Sequence, residues 1–398
     1  MSRYDVVIAG AGIGGLAAAD CLAARGFRVA VLERATTPLD TGAGIQLGPN
    51  ATRILVTMGL GPAVAATACG PDGISVRDGR TGRHLATVPL GARAARRYGA
   101  PYLVIHRADL HRTLYGAAAA RPRVDIRHDC ELSGFTDTGS GVEITASGGA
   151  RFGARVLLGA DGLHSQVRQR LLRDGPARPT GHVAWRTLVP MAGVPAPFAA
   201  NESGLWIAPG GHVVHYPVRA GDMLNLVAIV PGQSPSRSWS QQGDPDALHR
   251  VFAHWTPAVV DLLHRAPEWR FWPLYDRPPG RAWGSGRVTL MGDAAHPMLP
   301  FLAQGGAMAI EDAWVFAACL AADLKAPEQA LTRYEDLRRD RAARVQQASR
   351  DNARTFHLDG GMRIARNMVL RLADRLAPSR PLARYDWLYG HDATAGLG

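Results

Sequence analysis

The chain has 398 residues, of which 46% are hydrophobic and 20% charged, and it carries a formal charge of +11 at pH 7. It is too long for one small domain, and its cysteines Cys21, Cys69, Cys130 and Cys319 form no C-x-x-C pair, which argues against a disulfide scaffold or a metal site and fits a reducing cytoplasm. The arginines behind the charge are scattered and no run of 18 apolar residues occurs, so neither nucleic acid nor a membrane is an expected partner.

In chain order, "YDVVIAG" (4–10) is a short apolar run ahead of glycines and reads as a buried parallel strand. "IGGLAAADCLAARG" (13–26) reads as a helix closed by Gly26, and "FRVAVLER" (27–34) as the next strand, completing a strand–turn–helix–strand unit. A glycine-rich loop and a helix follow in "TGAGIQLGPNATRILVTMGL" (41–60). "YLVIHRADLHRTLYGAAAA" (102–120) is a strand then a helix, and "ARVLLGADGLHSQVRQRLL" (154–172) repeats strand, turn and helix. Between Thr180 and Trp272 helical periodicity fades, and "GLWIAPGGHVVHYPVRAGDMLNLVAIV" (204–230) alternates as antiparallel strands do. "RVTLMGDAAHP" (287–297) returns to a buried strand, an almost wholly apolar helix runs from about 307 to 322, and "EQALTRYEDLRRDRAARVQQAS" (328–349) is a charged amphipathic helix. Near the end, "RIARNMVLRLADRLA" (363–377) is amphipathic and cationic, with core packing or a subunit contact expected. Nucleotide-binding texture thus lies at the start, in the middle and after Gly286, with a strand-rich part inserted.

Three stretches carry chemistry. Gly10, Gly12 and Gly15 form G-x-G-x-x-G between a strand and a helix, and Glu33 ends the second strand. The first glycine permits the tight turn, the second lets backbone approach a pyrophosphate, and the third lets helix pack on strand. The acid matches the ribose-binding position, so a dinucleotide is expected, although the motif does not separate FAD from NAD. In "GADGLHSQVRQRL" an Asp-Gly turn at Asp161 and Gly162 precedes Ser165 and Arg168, reading equally as a ligand loop or as a capped helix start. In "GDAAHPMLPFLAQGGAMAIEDA" (292–313), Asp293 follows a buried strand, where open parallel sheets bind ligands. Pro297 and Pro300 stiffen that loop, and Gly305 and Gly306 leave N–H groups accessible at a helix start, which suits the negative charge of a reduced flavin.

Together "GAGIGG", Glu33–Arg34, "GADGLHSQVR" and the 292–313 stretch resemble the group A FAD-dependent aromatic hydroxylases. "GAGIQLGPNA", "IHRADLHRTL" and "HYPVRAGDMLNLVA" most resemble the branch of salicylate hydroxylase, 3-hydroxybenzoate 6-hydroxylase and 6-hydroxynicotinate 3-monooxygenase. The resemblance covers roughly residues 3 to 350 and implies an α/β fold: a Rossmann-like FAD-binding domain, an inserted mixed or antiparallel β-sheet substrate domain and C-terminal helices. It divides the chain into an FAD-binding domain of 1–75, 100–178 and 284–350, a substrate-binding domain of 76–99 and 179–283, and a C-terminal helical segment of 351–398. It further implies that Gly10, Gly12, Gly14 and Gly15 hold the pyrophosphate and that Glu33, with Arg34 beside it, holds the adenosine ribose. Arg107 would contact FAD, Asp161 would serve FAD and NAD(P)H, and Asp293 the ribityl or pyrophosphate region, with Pro300 in its loop. Gly305, Gly306 and Ala307 would offer backbone to the isoalloxazine, whereas Met308 stands where many relatives have Asn.

The implied reaction consumes NADH or NADPH to reduce FAD, then uses dioxygen through a flavin hydroperoxide to hydroxylate a small phenolic or N-heteroaromatic carboxylic acid. A base near the ring hydroxyl helps, because phenolates react best. His212 and His215 stand three apart in one strand and point to opposite faces. His215 is the preferred base, because His-Tyr-Pro matches the branch's substrate strand, with His212 and Tyr216 on the other face as weaker candidates. Gln304 would orient the substrate through its amide. Arg186 and Arg219 could meet a carboxylate, although solvated surface arginines are the ordinary expectation, and His296 reads as structural. The implied partners are therefore the aromatic acid, dioxygen and NAD(P)H, acting on a monomer or homodimer. The alternative is an FAD-dependent reductase or epoxidase acting on a non-aromatic isoprenoid.

Overall fold

Val6, Val7 and Ile8 are completely buried, so the strand Ser2–Ala9 can only sit inside a sheet covered on both faces. The computed structural model describes residues 2–37, 43–232, 241–266, 268–280, 282–378 and 380–396. Ser2–Ala9 pairs in parallel with Val29–Leu32 on one side and Arg151–Gly159 on the other. Val124–Arg127 extends the sheet beyond Val29–Leu32. Arg151–Gly159 changes partner along its length: its first half pairs antiparallel with Val142–Ala146, and its last residues pair in parallel with Val288–Leu290. The three motif-bearing strands therefore lie side by side and end at the same edge, although Val288 is far from Ser2 in sequence. The helix Ile13–Ala24 packs against Gly305–Ala322 over this edge.

The strand-rich insertion forms a second sheet of eight strands. Its centre is Arg178–Pro190, Met223–Pro231 and Gly211–Val218, all antiparallel, and Ser203–Ala208 joins in parallel to Gly73–Asp78. The expected boundary between 75 and 76 falls inside Gly73–Asp78, so we propose moving that crossover to the loop 70–72. Alternation sorts the side chains of this sheet. Val189, Val213, Leu224, Leu226 and Ala228 enter a core with Trp206, Phe252 and Leu262. Ala184, Val227 and Ile229 face the other way, against Leu299 and Phe301 of the loop that follows the third motif. A period of two thus decides which residues of the second sheet look toward the nucleotide half.

Gly305–Ala322 is, among the described residues, the one helix long and apolar enough to cross a membrane, yet it lies mostly buried in this core. It carries Glu311 and Asp312 at zero exposure. Arg338, on the long helix Pro327–Phe356, lies between them, with Nη1 2.5 Å from Glu311 and Nε 2.7 Å from Asp312. Burial alone would push the Glu311 carboxyl up, but Arg338 and Arg341 outweigh it and hold it far below the usual range; His296 and Arg338 likewise outweigh burial at Asp312 and lower it. Both carboxyls have folded pKa values below their unfolded ones, so their contribution is complete above about pH 4.5 and is lost as pH falls below it. Arg338→Met should cost about 3–5 kcal/mol at pH 7, because two buried carboxylates lose the cation they share and keep only Arg341 and His296. Their pKa values would then rise above the unfolded values, so the deficit should shrink as pH drops from 7 to 5.5. Urea melts at the two pH values measure this, and a loss under about 1 kcal/mol would remove the network from its structural role.

Candidate functional site

The first glycine turn is built by close contact. Gly10 has φ +101°, and a Cβ there would lie 2.6 Å from the Ala160 carbonyl oxygen. A Cβ on Gly15 would lie 2.0 Å from the Gly10 oxygen, so no side chain fits where helix meets strand. A Cβ on Gly12 would meet nothing within 4 Å, which is the open side an approaching phosphate needs. Gly14 instead backs onto Ala309 of Gly305–Ala322. Glu33 accepts from the Ala11 amide at 2.8 Å and the Ala35 amide at 2.9 Å, which fixes its carboxylate beside the turn. A pocket lined by Glu33, Ala35, Thr37, His111, Tyr115 and His128 continues outward from it. Arg34 is exposed.

Asp161 accepts from the amides of Gln166 and Val167 at 2.7 and 3.1 Å, so one carboxylate oxygen caps the helix Gln166–Leu172. Its other oxygen is buried with no hydrogen bond within 3.5 Å from a described residue. Arg168 ties this second motif to the third. Its guanidinium donates to the carbonyls of Ala294 and Ala295 at 2.8 and 2.7 Å and clasps Asp174. From the other side, Asp312 accepts from the Gly292 amide at 2.9 Å and holds His296 Nε2 at 2.6 Å.

Between these clamps Asp293 is exposed although protein surrounds it, so its carboxyl opens into an internal cleft. The loss of hydration there pushes its pKa up, while the charges of His296 and Arg107 pull it down. Arg107 begins the helix Arg107–Ala119, and its guanidinium makes no hydrogen bond to a described residue. The Arg107 pKa is lowered by desolvation, and Asp293 acts against that shift. Pro300 opens a short turn, and Gln304 is the residue before Gly305–Ala322, with no side-chain cap on that helix. A Cβ on Gly306 would lie 2.5 Å from the end of the Ile45 side chain, which would have to turn aside. Gly305 has space beside Asp293, and Ala307 is buried. Gln304 accepts from Asn50 at 3.0 Å, and Asn50 also donates to Glu311 at 2.7 Å. Met308 turns inward, its sulfur 3.8 Å from Arg338.

The second sheet closes the cleft. Its inward face carries Arg186, His212 and Tyr216. A Cβ on Gly44 would lie 2.4 Å from the Tyr216 ring, and the Gly44 amide donates to Asn225 at 2.6 Å, so the start of the strand Gly44–Leu47 is pressed onto this face. Arg186 does not match the expected solvated arginine. Its Nε is buried without a partner, desolvation lowers its pKa, and its guanidinium lies 5.6 Å from the Trp272 ring centre. Only Tyr216 offsets that loss, while Arg107 adds to it, and no acid pairs with it among the described residues. Arg219 sits half-exposed, 3.9 Å from Asp109.

His215 does not face the cleft. Strand alternation sends it into the core on the far side, with ring centroids 5.0 Å from Phe198 and 6.5 Å from Trp206. There burial drops its pKa to about 3, so the preference for it as the base is corrected. His212 faces inward, beside Phe301 at 5.1 Å and Phe356 at 5.4 Å. Its Nδ1 lies 2.9 Å from His357 Nε2. Burial, then the neighbouring His357 and His182, lowers the His212 pKa well below the ordinary value. Two of these residues, Asn50 and Arg168, lie inside stretches singled out from the sequence but had no role assigned, whereas His357 had no local signal at all.

A family model described as an FAD binding domain matches residues 3–349. The chain belongs to this FAD-binding family. It is 40% identical to 3-amino-4-hydroxybenzoate 2-monooxygenase PtnB3 of Streptomyces platensis, over 98% of this chain and 97% of that protein. It is 39% identical to 3-hydroxybenzoate 6-hydroxylase 1 of Aquipseudomonas alcaligenes, over 98% of each. Among solved structures, Klebsiella pneumoniae HpxO complexed with FAD and uric acid superposes with a TM-score of 0.83 at 27% identity, covering 96% of each chain. The features of this FAD-binding chain suit the cofactor: an open approach at Gly12, a recessed carboxylate at Asp293, and an Arg107 guanidinium with no hydrogen-bonded partner among the described residues. Asp293→Ala should weaken FAD retention about 10-fold or more, because a recessed polar partner is lost. Flavin fluorescence during dialysis reads this, and unchanged affinity would take Asp293 out of the site.

Proposed function

We propose that the chain is an FAD-dependent, NAD(P)H-consuming monooxygenase that hydroxylates a small aromatic acid bearing a ring hydroxyl. The single observation that carries the substrate class is Arg186, a desolvated guanidinium with an orphaned Nε and no acidic partner among the described residues. A buried cation without a counter-ion is costly, and a ligand carboxylate removes the cost. An isoprenoid offers no anion, so the epoxidase reading leaves this residue unexplained. The relatives named for hydroxybenzoate substrates support the same class.

Bound FAD supplies the redox chemistry with reduced nicotinamide and dioxygen. Gly10, Gly12 and Gly15 receive the pyrophosphate, Glu33 the ribose, and Arg107 and Asp293 the stretch toward the ring system. Asp161 serves here by shaping the neighbouring turn. The N-terminus of Gly305–Ala322, which carries no acid in its first turn, adds positive potential where the reduced ring gathers negative charge. Arg186 binds the substrate carboxylate, and Gln304, fixed through Asn50, orients the ring. His212 is neutral at pH 7 and serves as the acceptor for the ring hydroxyl proton. That role needs Nδ1 to carry the hydrogen and donate it to His357 Nε2, which leaves Nε2 as the acceptor. The rings of Phe301 and Phe356 keep water from that side.

NAD(P)H oxidation and peroxide release, followed with a panel of 3-amino-4-hydroxybenzoate, 3-hydroxybenzoate, salicylate and 6-hydroxynicotinate, test the proposal. One acid should raise oxidation with little peroxide. Arg186→Met should raise KM for that acid about 10- to 100-fold, the loss of a charge-assisted hydrogen bond. Stimulation by neutral phenols or isoprenoids that is indifferent to this substitution would overturn the substrate class. His357→Gln should lower kcat more than FAD binding, and an unchanged kcat–pH profile would remove the His212 tautomer from the scheme.

A further inference from the structure

We infer that the helix Gly360–Leu376 is a subunit contact, covered by the same helix of a second copy of this chain, antiparallel across a two-fold axis. The helix is amphipathic in the reverse sense. Its polar side turns toward its own protein: Arg363 and Asn367 both donate to Asp78, at 2.9 and 2.6 Å. Asp374 accepts from the Thr87 amide at 2.7 Å, and Arg366 donates to the carbonyls of Thr355 and Phe356 at 2.8 Å. The apolar side faces out. Among the described residues eight large apolar side chains are exposed, and six of them stand on this helix: Met362, Ile364, Met368, Val369, Leu372 and Leu376. At 100° per residue these fall on one side, with Arg371 at one edge and Arg375 between Ile364 and Met368. Soluble surfaces rarely leave so continuous an apolar stripe uncovered.

The pattern on the helix points to its own copy as the cover. A two-fold contact requires that if one residue meets a second, the second meets the first. An antiparallel pairing centred level with residue 367 sets Met362 against Leu372 and Ala365 against Val369. The same register brings the exposed Asp359, just before the helix, to the exposed Arg375 near its end, and it also opposes the two helix dipoles favourably. Ala365, small and near the centre, allows close approach. A lipid surface fits less well. The stripe holds no Trp, Tyr or Phe, and of the helix's arginines Arg363 and Arg366 are bonded inward, leaving Arg371 and Arg375 exposed on one side of it. A helix of 17 residues is about 25 Å long, and its footprint falls short of the ~800 Å² per partner of a standard interface. A concentration-dependent dimer is therefore the expected form.

Sedimentation velocity of the FAD-loaded full chain, over a hundredfold range of concentration, tests this. The wild-type mass should rise toward twice the 42.5 kDa of one chain. Leu372→Glu, at an exposed site, should hold the protein at one chain with its FAD absorbance intact. Arg375→Glu should weaken the dimer, and adding Asp359→Arg should restore it. A wild type that stays monomeric throughout overturns the inference, as does a dimer indifferent to Leu372→Glu. Co-sedimentation with phosphatidylglycerol vesicles that Leu372→Glu abolishes, without self-association, would assign the face to lipid and overturn it as well.

Discussion

The cleft depends on one buried cation. Arg338 has no solvent contact and lies between Glu311 and Asp312, adjacent residues on one helix. Each acid holds one end of the loop 292–304. Asp312 takes the Gly292 amide and His296 at its start, and Glu311 takes Asn50, which reaches Gln304 at its end. The charges are mutually dependent, because a carboxylate stranded in the interior costs several kcal/mol and the pair with its guanidinium does not. The loop that bears Asp293 and Pro300 therefore has one allowed position. Arg168 enforces it from the opposite side through two carbonyls, which also locks the second motif to the third.

Behind the loop every ion has its partner; in front of it the balance is broken. Arg107 and Arg186 face a cleft in which Asp293 acts on Arg107 and, among the described residues, no acid acts on Arg186. This local excess of positive charge is distinct from the +11 of the whole chain, which is carried by scattered and largely solvated arginines. In a space with little water a single uncompensated guanidinium has more effect than many at the surface. The cleft therefore suits two anionic visitors at once, a dinucleotide whose reduced ring is charged and a carboxylate substrate.

Much of the nucleotide half was legible because its signals are local. Apolar runs ending in glycines marked the parallel strands, and the tight contacts at Gly10 and Gly15 are what that spacing demands. The substrate face was read less well. Alternation sets His212 and Tyr216 together and His215 apart, whereas the match of His-Tyr-Pro to related strands points to His215, which the fold buries on the far side. Most arginines are solvated, and nothing in "VAWRTL" tells which face of a central strand will be dry, so Arg186 carries no local sign of its buried Nε. Asp161 proved equally balanced in the sequence and is a helix cap in the fold. The Arg338 network was invisible, because pairing across 26 residues between two helices leaves no pattern in either helix alone.

The C-terminal part shows why such long-range contacts matter to chemistry. His357 directly follows the long helix Pro327–Phe356 and reaches back to His212 on the central strand of the second sheet. An imidazole is symmetric enough to be either donor or acceptor at each nitrogen, so His212 alone has no defined role. A neighbour that accepts at Nδ1 makes Nε2 basic, whereas one that donates there makes Nε2 a proton donor. His357 is itself pushed down to about 4 by burial and by the nearby charges of His182 and Arg366, so it stays neutral at pH 7 and able to accept. In the proposed scheme the tautomer that makes His212 a base would be set by a residue 145 positions away, in the segment whose own sequence says least.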